Sequence, residues 1–120
     1  MSRKLDGLVA VHVTKIITGP IVKWWGAKGE NADGGSVIIP AYSEENSAAW
    51  DVVEEWGVLP WNIDNGWREK DGERISGVTC KVTTHTGSFE ATEKDMPMAV
   101  CVCALRAVGV DEATIQEAMK

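Results

Sequence analysis

Apolar residues recur along this chain in three patterns, and each pattern predicts a different kind of element. From Met96 to Val108 only Pro97 and Arg106 interrupt a run of Met, Ala, Val, Cys and Leu. A helix that is apolar almost all round has to be covered on several sides, by a sheet and by another helix or a second subunit. Asp95 is placed to cap it, Pro97 is tolerated in its first turn, and Gly109 closes it. The second pattern is amphipathic. Ala49, Val52, Val53 and Trp56 fall at i, i+3, i+4 and i+7, with Asp51, Glu54 and Glu55 on the opposite face. This predicts a helix with Ser43 as N-cap, Glu44 and Glu45 at the positive end of its dipole, and Gly57 as its stop. The third pattern alternates. Val78, Cys80 and Val82 against Thr79, Lys81 and Thr83 predict a strand with one buried face.

Weaker signals fill the remainder. Leu5, Leu8, Val9, Val13 and Ile16 form a helical stripe with His12 on it, while Val9, Val11 and Val13 also alternate as a strand would. Periodicity leaves residues 3–17 open between the two. Thr18-Gly19-Pro20 breaks whatever precedes it, Ile21 to Trp25 suits a short strand, and residues 26–35 are expected to be a glycine-rich loop with nothing to pack. Val37-Ile38-Ile39 is a short apolar segment. Leu59 to Ile63 suits a strand, Asp64-Asn65-Gly66 signals a turn, Asp71-Gly72 a second, and Thr86-Gly87 a third before Ser88–Thr92. This meander should form an antiparallel sheet of three or four strands. Asp111 is placed to cap a last short helix carrying Ile115 and Met119.

Three segments together resemble a known family. They are Leu5-Asp6-Gly7-Leu8-Val9-Ala10, then Pro40-Ala-Tyr-Ser with Ala48-Ala49-Trp50-Asp51-Val52-Val53-Glu54, and last Phe89-Glu90-Ala91-Thr92 with Met96-Pro97-Met98-Ala99-Val100-Cys101 and Ala104-Leu105. The family is the phage ABA-sandwich domain of tailed phages and prophages. The resemblance implies an α+β fold, an antiparallel sheet of about four to five strands sandwiched between α-helices, with residues 1–120 as one domain. It also tips residues 3–17 toward helix. The family's motifs are structural, and they carry over no activity; the 26–35 segment and the many tryptophans depart from its pattern.

Composition narrows the classes further. A net charge of −6 argues against nucleic acid and anionic membranes as partners. No apolar run approaches the roughly 20 residues that span a bilayer, and the first residues lack the apolar core of a signal peptide. Three cysteines suggest reduced thiols in a cytoplasmic compartment, and the resemblance to a phage family implies that this is the cytoplasm of the bacterial host cell.

Catalytic signatures are missing from the residue pattern. Cys101 and Cys103, two apart on a helix, point about 200° apart and cannot share a metal. His12, Cys80 and His85 have no partner at ligand spacing, and no serine stands in a nucleophile elbow. A protein that is not an enzyme, with no metal and no cofactor, is expected. Tryptophan is the unusual excess: six, against one Tyr and one Phe. Trp50 and Trp56 are read as core. Trp24, Trp25 and Trp67, with Arg68, Arg74 and Lys81, are the candidate ligand-binding residues, since aromatic faces beside cations suit a nucleotide-like ligand. The same tryptophans also suit sheet packing or an interface. Two functions are therefore expected. One, by analogy with small proteins that phages encode, is sequestration of a nucleotide signal of bacterial immunity, such as a cyclic ADP-ribose derivative or a cyclic oligonucleotide; the other is binding of a partner protein. Self-association is expected in both, because the 96–108 helix has more apolar surface than one small sheet covers.

Overall fold

The structure, a computed structural model, describes residues 3–25, 28–55 and 61–119. Residues 3–17 take the helical reading as far as His12. Helix α1 (Arg3–His12) buries Leu5, Asp6, Val9 and Ala10. Lys15, at φ 56°, then turns the chain away, so Ile17 enters the core and Ile16 stays exposed.

Strands β1 (Ile21–Trp25), β2 (Lys28–Asn31) and β3 (Ser36–Ile38) form a small antiparallel sheet in that order. The expected loop at 26–35 is thus corrected: residues 28–31 are the sheet's central strand. Glycine is there for close approach, not for flexibility. A Cβ on the buried Gly29 would lie 2.5 Å from Ile39 Cδ1 and 3.1 Å from Ile21 Cδ1. Asn31 then closes the β2–β3 turn. Its side-chain oxygen accepts from the Gly35 and Asp33 amides at 2.8 and 3.1 Å, and its amide donates to the Thr18 carbonyl at 2.5 Å.

Helix α2 (Asn46–Glu55) begins later than Ser43 predicts. Ser43 lies in a preceding turn, buried, and donates its backbone N–H to Asp6 Oδ1 at 2.8 Å. The Glu45 carbonyl receives the Ala49 amide, so Glu45 stands at the helix start. Ala49 and Val52 are buried as expected, but Trp50 is 48% exposed and is not a core residue. Trp56, Gly57 and Leu59 lie outside the described residues.

Strands β4 (Trp61–Lys70), β5 (Glu73–Thr84) and β6 (Gly87–Glu93) form the larger antiparallel sheet, with β5 central. The turn expected at Asp64-Asn65-Gly66 is absent. These residues continue β4, paired with Thr79, Val78 and Gly77. Ten consecutive pairs override the local preference, and Gly66 leaves room for the Thr79 side chain. The Asp71-Gly72 turn does form, both residues left-handed at φ 54° and 81°.

Helices α3 (Met96–Ala107) and α4 (Glu112–Ala118) complete an α+β fold in which, among the described residues, six strands divide between two sheets. Asp95 and Asp111 cap them as expected, accepting from the Met98 and Thr114 amides. Helix α3 is the middle layer. It packs on β5 and β6 on one side and on α1, α2 and α4 elsewhere. Every residue from Ala99 to Leu105 is fully buried. The chain's own elements therefore cover α3, and self-association needs another surface. Arg106 fastens the end of α3, donating to the Glu90 carbonyl at 2.8 Å and through two nitrogens to Glu112 at 2.7 and 3.0 Å. Among the described residues, no helix is long and apolar enough to cross a membrane.

Candidate functional site

Helix α1 has two working faces. Leu5, Val9 and Ala10 go to the core, while Lys4, Gly7, Leu8, Val11 and His12 form a second stripe at helical spacing. That stripe is one wall of a cleft of about 670 Å³. Helix α4 supplies the other wall through Ala113, Thr114, Glu117 and Ala118, with Asp111 at its start. Gly19, Pro20, Ile21 and Trp24 lie between the helices.

Trp24 is where the local structure is tightest. A Cβ on Gly7 would fall 2.9 Å from Trp24 Cζ2 and from Ile21 Cδ1, so a glycine on α1 lets the helix settle against the indole and β1. The ring keeps 36% exposure and presents apolar surface to the cleft. Leu8, Val11 and Ile21 extend that surface. Lys4 and His12 are exposed on the α1 side, Asp111 and Glu117 on the α4 side. Hydrogen bonding to Thr114 holds the Asp111 carboxyl below the ordinary carboxylate range. The cleft thus joins an aromatic, apolar interior to a rim carrying cationic or titratable groups on one side and carboxylates on the other. Such a site can bind and orient a molecule of mixed polarity.

The six residues singled out from the sequence are dispersed. Trp24 lines the cleft. Trp25 is the last residue of β1, and its side chain lies outside the described atoms. Trp67 is on β4, 60% exposed, with the Arg74 guanidinium 5.2 Å from its ring centre. Arg68 and Lys81 fall on the opposite face of that sheet, because strand residues alternate and Trp67 pairs with Ser76 while Arg68 pairs with Ile75. Trp67 and Arg74 meet, while Trp24 lies at the cleft and Arg68 and Lys81 on the other face of the sheet. The α1 and α4 residues were missed, although Leu8 and Val11 are apolar positions beyond what a single core stripe requires, and that surplus is legible in the sequence.

The thiols are interior. Cys80, Cys101 and Cys103 are free and fully buried. Burial pushes the Cys101 thiol up; a hydrogen bond with Cys103, then burial, push Cys80 up. Cys103 donates to the Phe89 carbonyl at 3.3 Å. Among the described residues, no group of three or more His, Cys, Asp or Glu side chains is placed to hold a metal ion.

No family model matches the chain, and no curated protein matches it. A solved structure does: a phage protein from Bacillus cereus ATCC 14579, with a TM-score of 0.60 and 20% identity, covering 92% of this chain and 90% of that one. The likeness extends over nearly the whole chain and is one of fold. That neighbour is itself a phage protein, and no family model carries the ABA-sandwich resemblance.

Proposed function

We propose that the protein is a non-catalytic phage protein that takes a nucleotide-derived small molecule into the α1–β1–α4 cleft. The observation that carries this reading is an aromatic side chain presented inside an apolar cleft of about 670 Å³, within the range of ordinary small-ligand sites. Trp24 offers a stacking face to a base. Lys4 and His12 stand where they can meet phosphate oxygens, and Asp111 and Glu117 where they can accept from ribose hydroxyls. The fold likeness to a phage protein supports a phage context and nothing finer; within it, the role we assign is that of a sponge, which holds an immune nucleotide signal in the host cytoplasm without altering it.

Calorimetric titration with cyclic ADP-ribose derivatives and cyclic oligonucleotides tests this. Saturable binding to the wild type is expected, lost in Trp24→Ala and in Leu8→Trp, which fills the cleft. Absence of heat with every ligand, or binding indifferent to both substitutions, overturns it. A second reading, binding of a partner protein, is favoured by Trp67 at 60%, Trp50 at 48% and Ile38 at 69% exposure, all away from the cleft. Recovery of a stoichiometric phage or host protein from infected cells, lost on Trp67→Ala but not on Trp24→Ala, selects it.

A further inference from the structure

Strand β4 is an edge of the larger sheet and lacks the proline, the bulge and the short length that often keep sheet edges apart, although four of its ten residues are charged. It is ten residues long, runs from Trp61↔Val82 to Lys70↔Glu73 without a register shift, and contains no proline. The two-residue turn at Asp71-Gly72 makes Lys70 and Glu73 a hydrogen-bonded pair. Counting back in twos, residues 62, 64, 66 and 68 also bond to β5. Residues 61, 63, 65, 67 and 69 therefore turn their backbone groups outward. The Asn65 amide agrees with this count: it is taken by the neighbouring Asp64 carboxylate at 2.7 Å, at an exposed position.

We infer that this edge pairs with β4 of a second copy of the chain about a two-fold axis at Gly66. Antiparallel pairing in that register sets Asn65 opposite the partner's Trp67 as a hydrogen-bonded pair. Asp64 then lies opposite the partner's Arg68 at the closer, non-hydrogen-bonded spacing, twice over by symmetry. The charges are complementary in this register. Arg68 Nε is buried in the single chain and has no hydrogen-bond partner among the described residues. Pairing moves the Asn65 amide onto the partner's backbone and frees Asp64 for that guanidinium. Gly66 meets Gly66 at the axis, where no side chains obstruct approach. Trp67 of each copy becomes the diagonal neighbour of the other, about 7–8 Å apart, which covers a ring that is 60% exposed in the single chain. The product is a continuous six-stranded sheet.

Light scattering and sedimentation on the full chain test this. The expected mass at micromolar concentration is twice the 13.0 kDa of one chain. Asn65→Pro removes an outward amide that β5 does not use, and is expected to give a monomer with unchanged circular dichroism. Arg68→Asp is expected to weaken the dimer, and Asp64→Arg combined with Arg68→Asp to restore it. A single-chain mass throughout, a dimer indifferent to Asn65→Pro, or an exchange of charges that fails to restore association overturns the proposal. Occupancy of the cleft is measured separately, so either reading can fail alone.

Discussion

Among the described residues, the larger and the smaller sheet are equal in strand number and opposite in how their register is held. In the larger one, β4 and β5 pair over ten residues without a shift, and β5 and β6 over seven. Its inner positions (Trp61, Ile63, Val78, Cys80, Val82, Phe89, Ala91) belong to the core or pack against it, and β5 and β6 lie on α3. Many residues repeat the same instruction, because a one-residue slip would move every apolar side chain to the open face. The smaller sheet has strands of five, four and three residues and a register shift between Ile21 and Lys23. There, single residues decide. Gly29 admits Ile39, and Asn31 closes the turn. Redundancy protects one sheet from local error, and its absence leaves the other exposed to single substitutions.

Losing volume at the centre should affect both sheets together. Leu105 is fully buried on α3, the layer between the larger sheet and the other helices. Leu105→Ala is expected to cost about 3 kcal/mol, the sum of lost transfer free energy and an unfilled cavity. Urea unfolding followed by circular dichroism and by tryptophan fluorescence should give one coincident transition at lower midpoint. Separate transitions for the two probes would show that the sheets unfold independently, and would sharpen the contrast into a division of the molecule.

Adding volume in the smaller sheet should act through a single contact. Gly29→Ala places a methyl group where Ile39 Cδ1 and the Ile21 side chain already sit, and is expected to cost about 2 kcal/mol. Ile39→Val in the Gly29→Ala background removes the offending Cδ1 and should recover part of that loss. An unaltered midpoint for Gly29→Ala would mean that the small sheet adjusts freely, and the proposed dependence on single residues would fail.

This contrast also explains what the sequence revealed. The alternation at 78–83, the turn at Asp71-Gly72, the caps at Asp95 and Asp111 and the apolar run of α3 were all legible, because each is a local pattern repeated or anchored by side-chain chemistry. The 26–35 segment was not, since its glycines were assigned to flexibility. Gly29 serves close approach to Ile39, a partner ten residues away that no local window includes. The Asp64-Asn65-Gly66 signal misled for the converse reason, a local turn preference overruled by pairing with a distant strand. Ser43 has the right chemistry for a cap, yet its amide is claimed by Asp6, thirty-seven residues away. Of the cleft, Trp24 was legible as a tryptophan in an apolar strand. Its companions on α1 and α4 come together only when the two helices pack.

The smallest effect concerns the margin of the larger sheet, where two carboxylates respond to pH with opposite sign. Hydrogen bonding to Arg106, then to Gln116, lowers Glu112 from the ordinary 4.5 to about 2. A depressed carboxylate favours folding above its unfolded value, and that contribution is lost as pH falls from about 4.5 toward 2. The Glu112 side chain is half exposed, so solvent screening limits the effect to about 0.5 kcal/mol. Glu93, on β6, is pushed up, chiefly by burial and against the pull of Arg106 and Arg68. Its stabilising contribution is present below the unfolded value and disappears as pH rises through the folded one. Urea midpoints measured across pH should therefore diverge in two directions. Glu112→Gln is expected to be less stable than the wild type at pH above about 5 and to converge with it toward pH 2. Glu93→Gln should match the wild type in acid and exceed it near neutrality. If both variants track the wild type at every pH, the Arg106 contacts at the end of α3 add nothing to stability, and the margin of the larger sheet is held by its backbone pairing and apolar packing alone.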